Sequence, residues 1–111
     1  MSYGSFATVV TDEDGKAVER LVNILNPDHI AWEKYARAHN IDATSSPMLA
    51  VTYRTFAALR RAGEISTSFD KFEQSVLEIT PCNSNGVALE FVDGKLIDPE
   101  NLGDDQADPS R

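Results

Sequence analysis

Apolar residues recur at helical spacing most clearly between Ser46 and Gly63, in the run SPMLAVTYRTFAALRRAG. Met48, Val51, Thr55, Ala58 and Ala62 form one stripe, and Leu49, Tyr53, Phe56 and Leu59 form an adjacent one. Two neighbouring stripes make a face wider than a surface helix needs. The pattern therefore predicts a central helix covered by neighbours on most sides. Its ends are marked as well. Ser46 is placed to cap, because its hydroxyl can accept a free backbone N–H. Pro47 then takes the first helical position, where its missing N–H costs nothing. Arg60 and Arg61 put cations at the negative end of the helix dipole. Gly63 can adopt the left-handed conformation that closes a helix.

Before this helix, Ser5 to Thr11 (SFATVVT) is rich in β-branched residues and reads as a strand. Asp12 to Gly15 (DEDG) reads as a turn. Lys16 to Ile24 is open to two readings. Val18 and Val22 suit a strand paired with the first across that short turn. Ala17, Val18, Leu21, Val22 and Leu25 also line one side of a helix. Asn26-Pro27-Asp28 predicts a helix start, with Asn26 as the cap, Pro27 at the first position and Asp28 at the positive end. This helix should run to about His39, burying Ala31, Trp32, Tyr35 and Ala38, with Asn40 ending it in the left-handed region.

After the central helix, Thr67 with Asp70 three residues later resembles a capping box. Phe69, Phe72, Val76 and Ile79 then keep helical spacing and predict a third helix packed on the central one. Pro81 to Gly86 (PCNSNG) breaks the pattern. Val87 to Val92 alternates, and Asp93-Gly94 suggests a two-residue turn into Lys95-Leu96-Ile97. A hairpin alone is marginal in water, so it must dock on the body or on a partner. The expected architecture is α+β: over residues 1–79 a strand, the segment open to strand or helix, and a three-helix core, then a C-terminal hairpin over 80–97 and an acidic tail over 98–111.

Composition narrows the function. A chain of 111 residues is expected to be one small domain with a modest core. The net charge is −8; the last 14 residues hold five acids and one base, and the rest of the chain is acidic too. That argues against nucleic-acid binding through a phosphate-neutralising patch and fits a basic protein partner. The tail, with Pro99, Gly103 and Pro109 and no aromatic residue, is expected to be disordered when free. No apolar run is long enough for a membrane span, the N-terminus does not read as a secretory signal, and the single Cys82 fits a cytoplasmic setting.

Chemistry-bearing patterns are missing. There is no phosphate-binding glycine loop, CxxC pair or H-E-x-x-H. His29 and His39 lie ten residues apart without ligands at metal spacing between them. No catalytic, cofactor or metal role is expected, and a binding or structural role remains. Trp32, Tyr35, Tyr53 and Phe56 are the candidates for a partner-facing groove, with core packing as the competing role for each. The acidic tail is a second candidate, either touching a partner or shielding the groove in its absence. Arg54 stands out as a cation inside the apolar run, marking an exposed strip or snorkelling over it.

Taken together, the spacing of these signals resembles the tail assembly chaperones of long-tailed phages, most closely those infecting actinobacteria. The residues that carry the resemblance are Asn26-Pro27-Asp28 at the end of the N-terminal turn-and-strand stretch, Trp32-Glu33, and Pro47 opening the aromatic helix. Ala58-Leu59-Arg60-Arg61-x-Gly63, Ile65 and Phe69-x-x-Phe72-Glu73 follow. The similarity covers about residues 17–79, with a looser echo in Asp108-Pro109-Ser110-Arg111. The chain departs at Phe56, where relatives commonly have Trp, at Arg54, where an apolar residue is expected, and over 81–97, which has no counterpart.

The resemblance implies a non-catalytic protein of the host cytoplasm that is absent from the mature virion. It would coat the tape measure protein, keep that long helical chain soluble and help recruit tail tube subunits, with several copies assembling on the partner. It also implies a longer frameshifted product and favours the hairpin reading of residues 17–23. The rival readings are a structural virion protein, such as a head–tail connector or tail-terminator subunit, and an acidic regulator of the antitoxin or nucleic-acid-mimic kind.

Overall fold

In the computed structural model, which describes residues 4–100, Ser5–Glu13 (β1) and Lys16–Ile24 (β2) form a regular antiparallel hairpin. Its two-residue turn places Asp14 at φ +54° and Gly15 at φ +83°. Both central residues of a hairpin turn that matches strand twist need positive φ, and Asp and Gly reach it cheaply. Lys16–Ile24 is thus a strand. Val22 and Ile24 are buried on one face, while Leu21, on the other face, is exposed.

Three helices follow: Asn26–Ala38 (α1), Pro47–Arg61 (α2) and Phe69–Ser75 (α3). α2 lies between two apolar clusters. One side packs Phe56, Ala58 and Leu59 on Ala7 and Val9 of β1, Val22 and Ile24 of β2 and Phe69 and Phe72 of α3. The other side packs Ala50 on Trp32 and Ala36 of α1. The central helix is covered from two directions, as its wide apolar face requires. The Trp32 indole N–H is satisfied by the Ala43 carbonyl at 3.3 Å.

Both long helices close in the same way. Asn40 at φ +57° and Gly63 at φ +76° take the left-handed position. Beyond them, Ile41 N–H bonds back to Ala36 O (2.8 Å), and Glu64 N–H bonds back to Leu59 O (2.9 Å). These bonds satisfy carbonyls that the helix itself leaves free.

The starts differ from expectation. Leu25, not Asn26, is the cap of α1, so Pro27 falls one position later than expected. The stabilising group is Asp28, whose carboxylate accepts the Leu25 N–H at 2.8 Å from the third helical position. Ser46 occupies the cap position of α2 without a side-chain bond. At α3 the cap is Ser68, which accepts the Lys71 N–H, rather than Thr67. On α1 the inward residues are Asp28, Trp32 and Ala36; Ala31 and Tyr35 are half-buried and Ala38 is exposed.

The largest correction concerns residues 76–82. The third helix ends at Ser75, and Val76–Cys82 (β3) pairs antiparallel with β1, giving a sheet of order β2-β1-β3. Val76 and Ile79 do face the core together, but as strand residues. Val9 pairs with Ile79 and Thr11 with Val76, because a bulge shifts the register between Val10 and Thr11. A bulge adds one residue to a side-chain period of two, so the inward positions fall three apart and mimic a helix. Pro81 also opposes helix, and the residue before it is pushed toward extended backbone. An edge strand tolerates Pro81, whose carbonyl accepts Leu89 N–H at 3.0 Å on the outer side.

Glu90–Val92 (β4) and Lys95–Ile97 (β5) form the expected C-terminal hairpin, turning at Asp93 (φ +50°) and Gly94 (φ +78°). It is docked on the body. Ala88 bridges Cys82, and Asn83 accepts the Asn85 and Val87 N–H groups through Oδ1. The Asn83 amide nitrogen also donates to Asp98 (2.9 Å) and Glu100 (2.6 Å). Of the acidic tail, residues 101–111 lie outside the described residues.

Two changes test this packing. Phe72 is 2% exposed at the meeting point of β1, α2 and α3, so Phe72→Ala is expected to cost about 3–5 kcal/mol in urea unfolding. Asp28 is 2% exposed and paired bidentately with Arg61, whose side chain is 37% exposed. Arg61→Ala leaves that carboxylate buried without its cation and is expected to cost about 2–3 kcal/mol, less than breaking a fully buried pair because Arg61 is partly solvated. The same unfolding curves read both values.

Candidate functional site

The aromatic residues singled out by sequence come together in one seam between α1 and α2. Tyr35 and Tyr53 stack with ring centroids 4.3 Å apart, Trp32 lies 6.1 Å from each, and Phe56 lies 5.5 Å from Tyr53. His39 covers the other side of Tyr35 at 4.1 Å. Trp32 and Phe56 belong to the core, at 1% and 5% exposed, while Tyr35 and Tyr53 are half-buried. Burial, and then the nearby Glu73 and Asp70 carboxylates, push the Tyr35 hydroxyl pKa above its usual value. The seam holds two helices together, and its rings are largely used on each other.

The open apolar surface lies on another side of α2. The C-terminal half of α2 packs on the sheet, while Ala50 nearer its start packs on α1. The first turns of α2 face the sheet across open space. A groove of about 350 Å³ opens there, lined by Met48, Val51 and Arg54 of α2 and by Ile79 and Pro81 of β3. Ser5, Phe6 and Ala7 of β1, Ile24 of β2 and His29 of α1 complete its walls. Met48, Val51 and Arg54 follow one another at intervals of three and so share a helix face. Met48 is 76% exposed at the mouth. A second hollow of about 280 Å³ shares Met48, Val51 and Ile79 and continues past Val76 and Leu77 to Glu73 and Glu78.

The electrostatics of the trough are polarised along its length. Arg54 and His29 line one end and Glu73 and Glu78 the other. Arg54 Nε is buried and has no hydrogen-bond partner among the described residues. Among the described residues no group of three or more His, Cys, Asp or Glu could hold a metal ion. Cys82 is buried, and its thiol pKa is pushed up by burial first and by Glu19 second, which keeps it in the less reactive thiol form. No helix among the described residues is long and apolar enough to cross a membrane.

None of Trp32, Tyr35, Tyr53 and Phe56 lines this groove. The signal that sequence did carry for it was Arg54, the cation interrupting an apolar run. Comparison of the chain with protein-family models, with curated proteins and with solved structures finds no match.

Proposed function

We propose that the protein is a tail assembly chaperone that binds apolar helical stretches of a phage tape measure protein, keeps that chain soluble and promotes assembly of tail tube subunits around it. It acts without catalysing a reaction, in the host cytoplasm, with several copies on one partner chain. The observation that carries the reading is the open trough between α2 and β3. Its volume is in the range of ligand sites, about 300–1,000 Å³, yet it lies open between α2 and the sheet rather than forming a closed cavity. That shape suits a row of aliphatic side chains from an amphipathic helix. Met48 at its mouth has an unbranched, polarisable side chain that can adapt to varied partners, as a protein coating a long and irregular chain needs. The spacing of Asp28, Trp32, Pro47, Arg61, Gly63 and Phe72 supports the same reading by resemblance.

A second reading rests on a different surface. Phe91 and Leu96 pair across β4 and β5 and are 73% and 53% exposed. An apolar hairpin of this kind suits contact between subunits of a ring, as in a head–tail connector.

Co-expression with the tape measure protein, followed by size-exclusion chromatography with mass determination, separates the two. The expected result is a soluble complex holding several copies of this chain. Met48→Glu, at an exposed position, should reduce the recovered complex while leaving the helical spectrum intact. An insoluble tape measure protein beside a defined homomeric ring would overturn the chaperone reading in favour of the connector.

A further inference from the structure

The trough between α2 and β3 is apolar along its middle and carries opposite charges at its two ends. Its two hollows share Met48, Val51 and Ile79. Arg54 and Pro81 line the hollow on one side, and Glu73, Leu77 and Glu78 line the other. Arg54 Nε is buried without a hydrogen-bond partner, and Arg54 enters none of the ion pairs among the described residues. A buried donor on a charged group carries a desolvation cost until an acceptor reaches it. A carboxylate fits best, because its two oxygens can accept parallel N–H bonds from a guanidinium. At the far end Glu73 and Glu78 are exposed, and neither enters an ion pair among the described residues. Glu78 and Pro81 stand three residues apart on β3, which is roughly 10 Å of strand. A helix covers that length in about seven residues, or two turns.

We infer that the trough selects an amphipathic helix with a carboxylate that pairs with Arg54 and, about two turns along the same face, a lysine or arginine that meets Glu73 and Glu78. Aliphatic side chains of that helix lie between the charges, on Met48, Val51 and Ile79. The inference rests on the reading of the trough as a seat for a partner helix. It adds what that helix carries and which way it lies. A helix laid the other way meets like charges at both ends, and one without the carboxylate covers Arg54 Nε and leaves it unpaired.

Fluorescence anisotropy with the full chain tests the inference. The probes are labelled peptides of about 18 residues, long enough to form helix. The reference peptide has a leucine face with one Glu and one Lys seven residues apart at its margin; one control replaces the Glu by Gln, the other the Lys by Gln. The reference should bind about tenfold more tightly than the control without Glu, and Arg54→Gln should abolish that difference. Glu73→Gln with Glu78→Gln, both at exposed positions, should abolish the preference for Lys. Amide shifts at Met48, Val51 and Ile79 should accompany binding. Equal affinity for the three peptides, no binding of the reference, or preferences that survive these variants would overturn the inference. A soluble complex with tape measure protein would in that case leave the chaperone reading standing. Selection of the reference peptide by Arg54, with no complex formed on tape measure protein, would sustain the inference and overturn the chaperone reading.

Discussion

The Asp28 carboxylate ties the end of α2 to the junction of β2 and α1, 33 residues earlier in the chain. Its two oxygens accept Arg61 Nε at 3.1 Å and Nη2 at 2.8 Å, and one of them also accepts the Leu25 N–H. Arg61 Nη2 donates further to the Asn23 carbonyl at 3.0 Å. The start of α1, the end of α2 and the end of β2 therefore meet at one charge-assisted knot. The burial of Asp28 is tolerable only because these donors replace water. The direction of α2 follows from this constraint. Its last turns are held to the sheet, and its first turns lean on Trp32 and Ala36 of α1. The open trough lies between those first turns and the sheet.

Much of the fold was legible because it is written in local chemistry. The Asp14-Gly15 and Asp93-Gly94 turns, the left-handed closures at Asn40 and Gly63, and the double apolar stripe of α2 each depend on a few neighbouring residues. The cap positions at Leu25 and Ser68 missed by one residue, since several candidates stood side by side and tertiary contacts chose among them. At α1 the choice was made by Arg61, 33 residues downstream of Asp28 in the chain. β3 was illegible for a sharper reason. A bulge opposite Val10 and Thr11 gave Val76 and Ile79 a spacing of three, and only the free edge of β1 reveals that a strand is wanted there.

The candidate site shows the same division. The aromatic residues were identified as a group, and they do form a group, but in a seam that uses their faces internally. The groove depends on how far α2 stands from the sheet, a tertiary property that no periodicity encodes. Arg54 was the one residue whose type was out of keeping with its neighbours, and it lies in the groove. Its buried Nε has no acceptor among the described residues, which is consistent with a surface whose complement comes from elsewhere.

The central claim is that this trough, and not the aromatic seam or the C-terminal hairpin, is the working surface. Hydrogen exchange on the chain bound to tape measure protein tests it most directly. Binding in the trough predicts added protection over residues 48–55 of α2 and 77–81 of β3, with Trp32 and Tyr35 in the aromatic seam of α1 unchanged. Protection confined to β4 and β5, or to α1, would contradict the account.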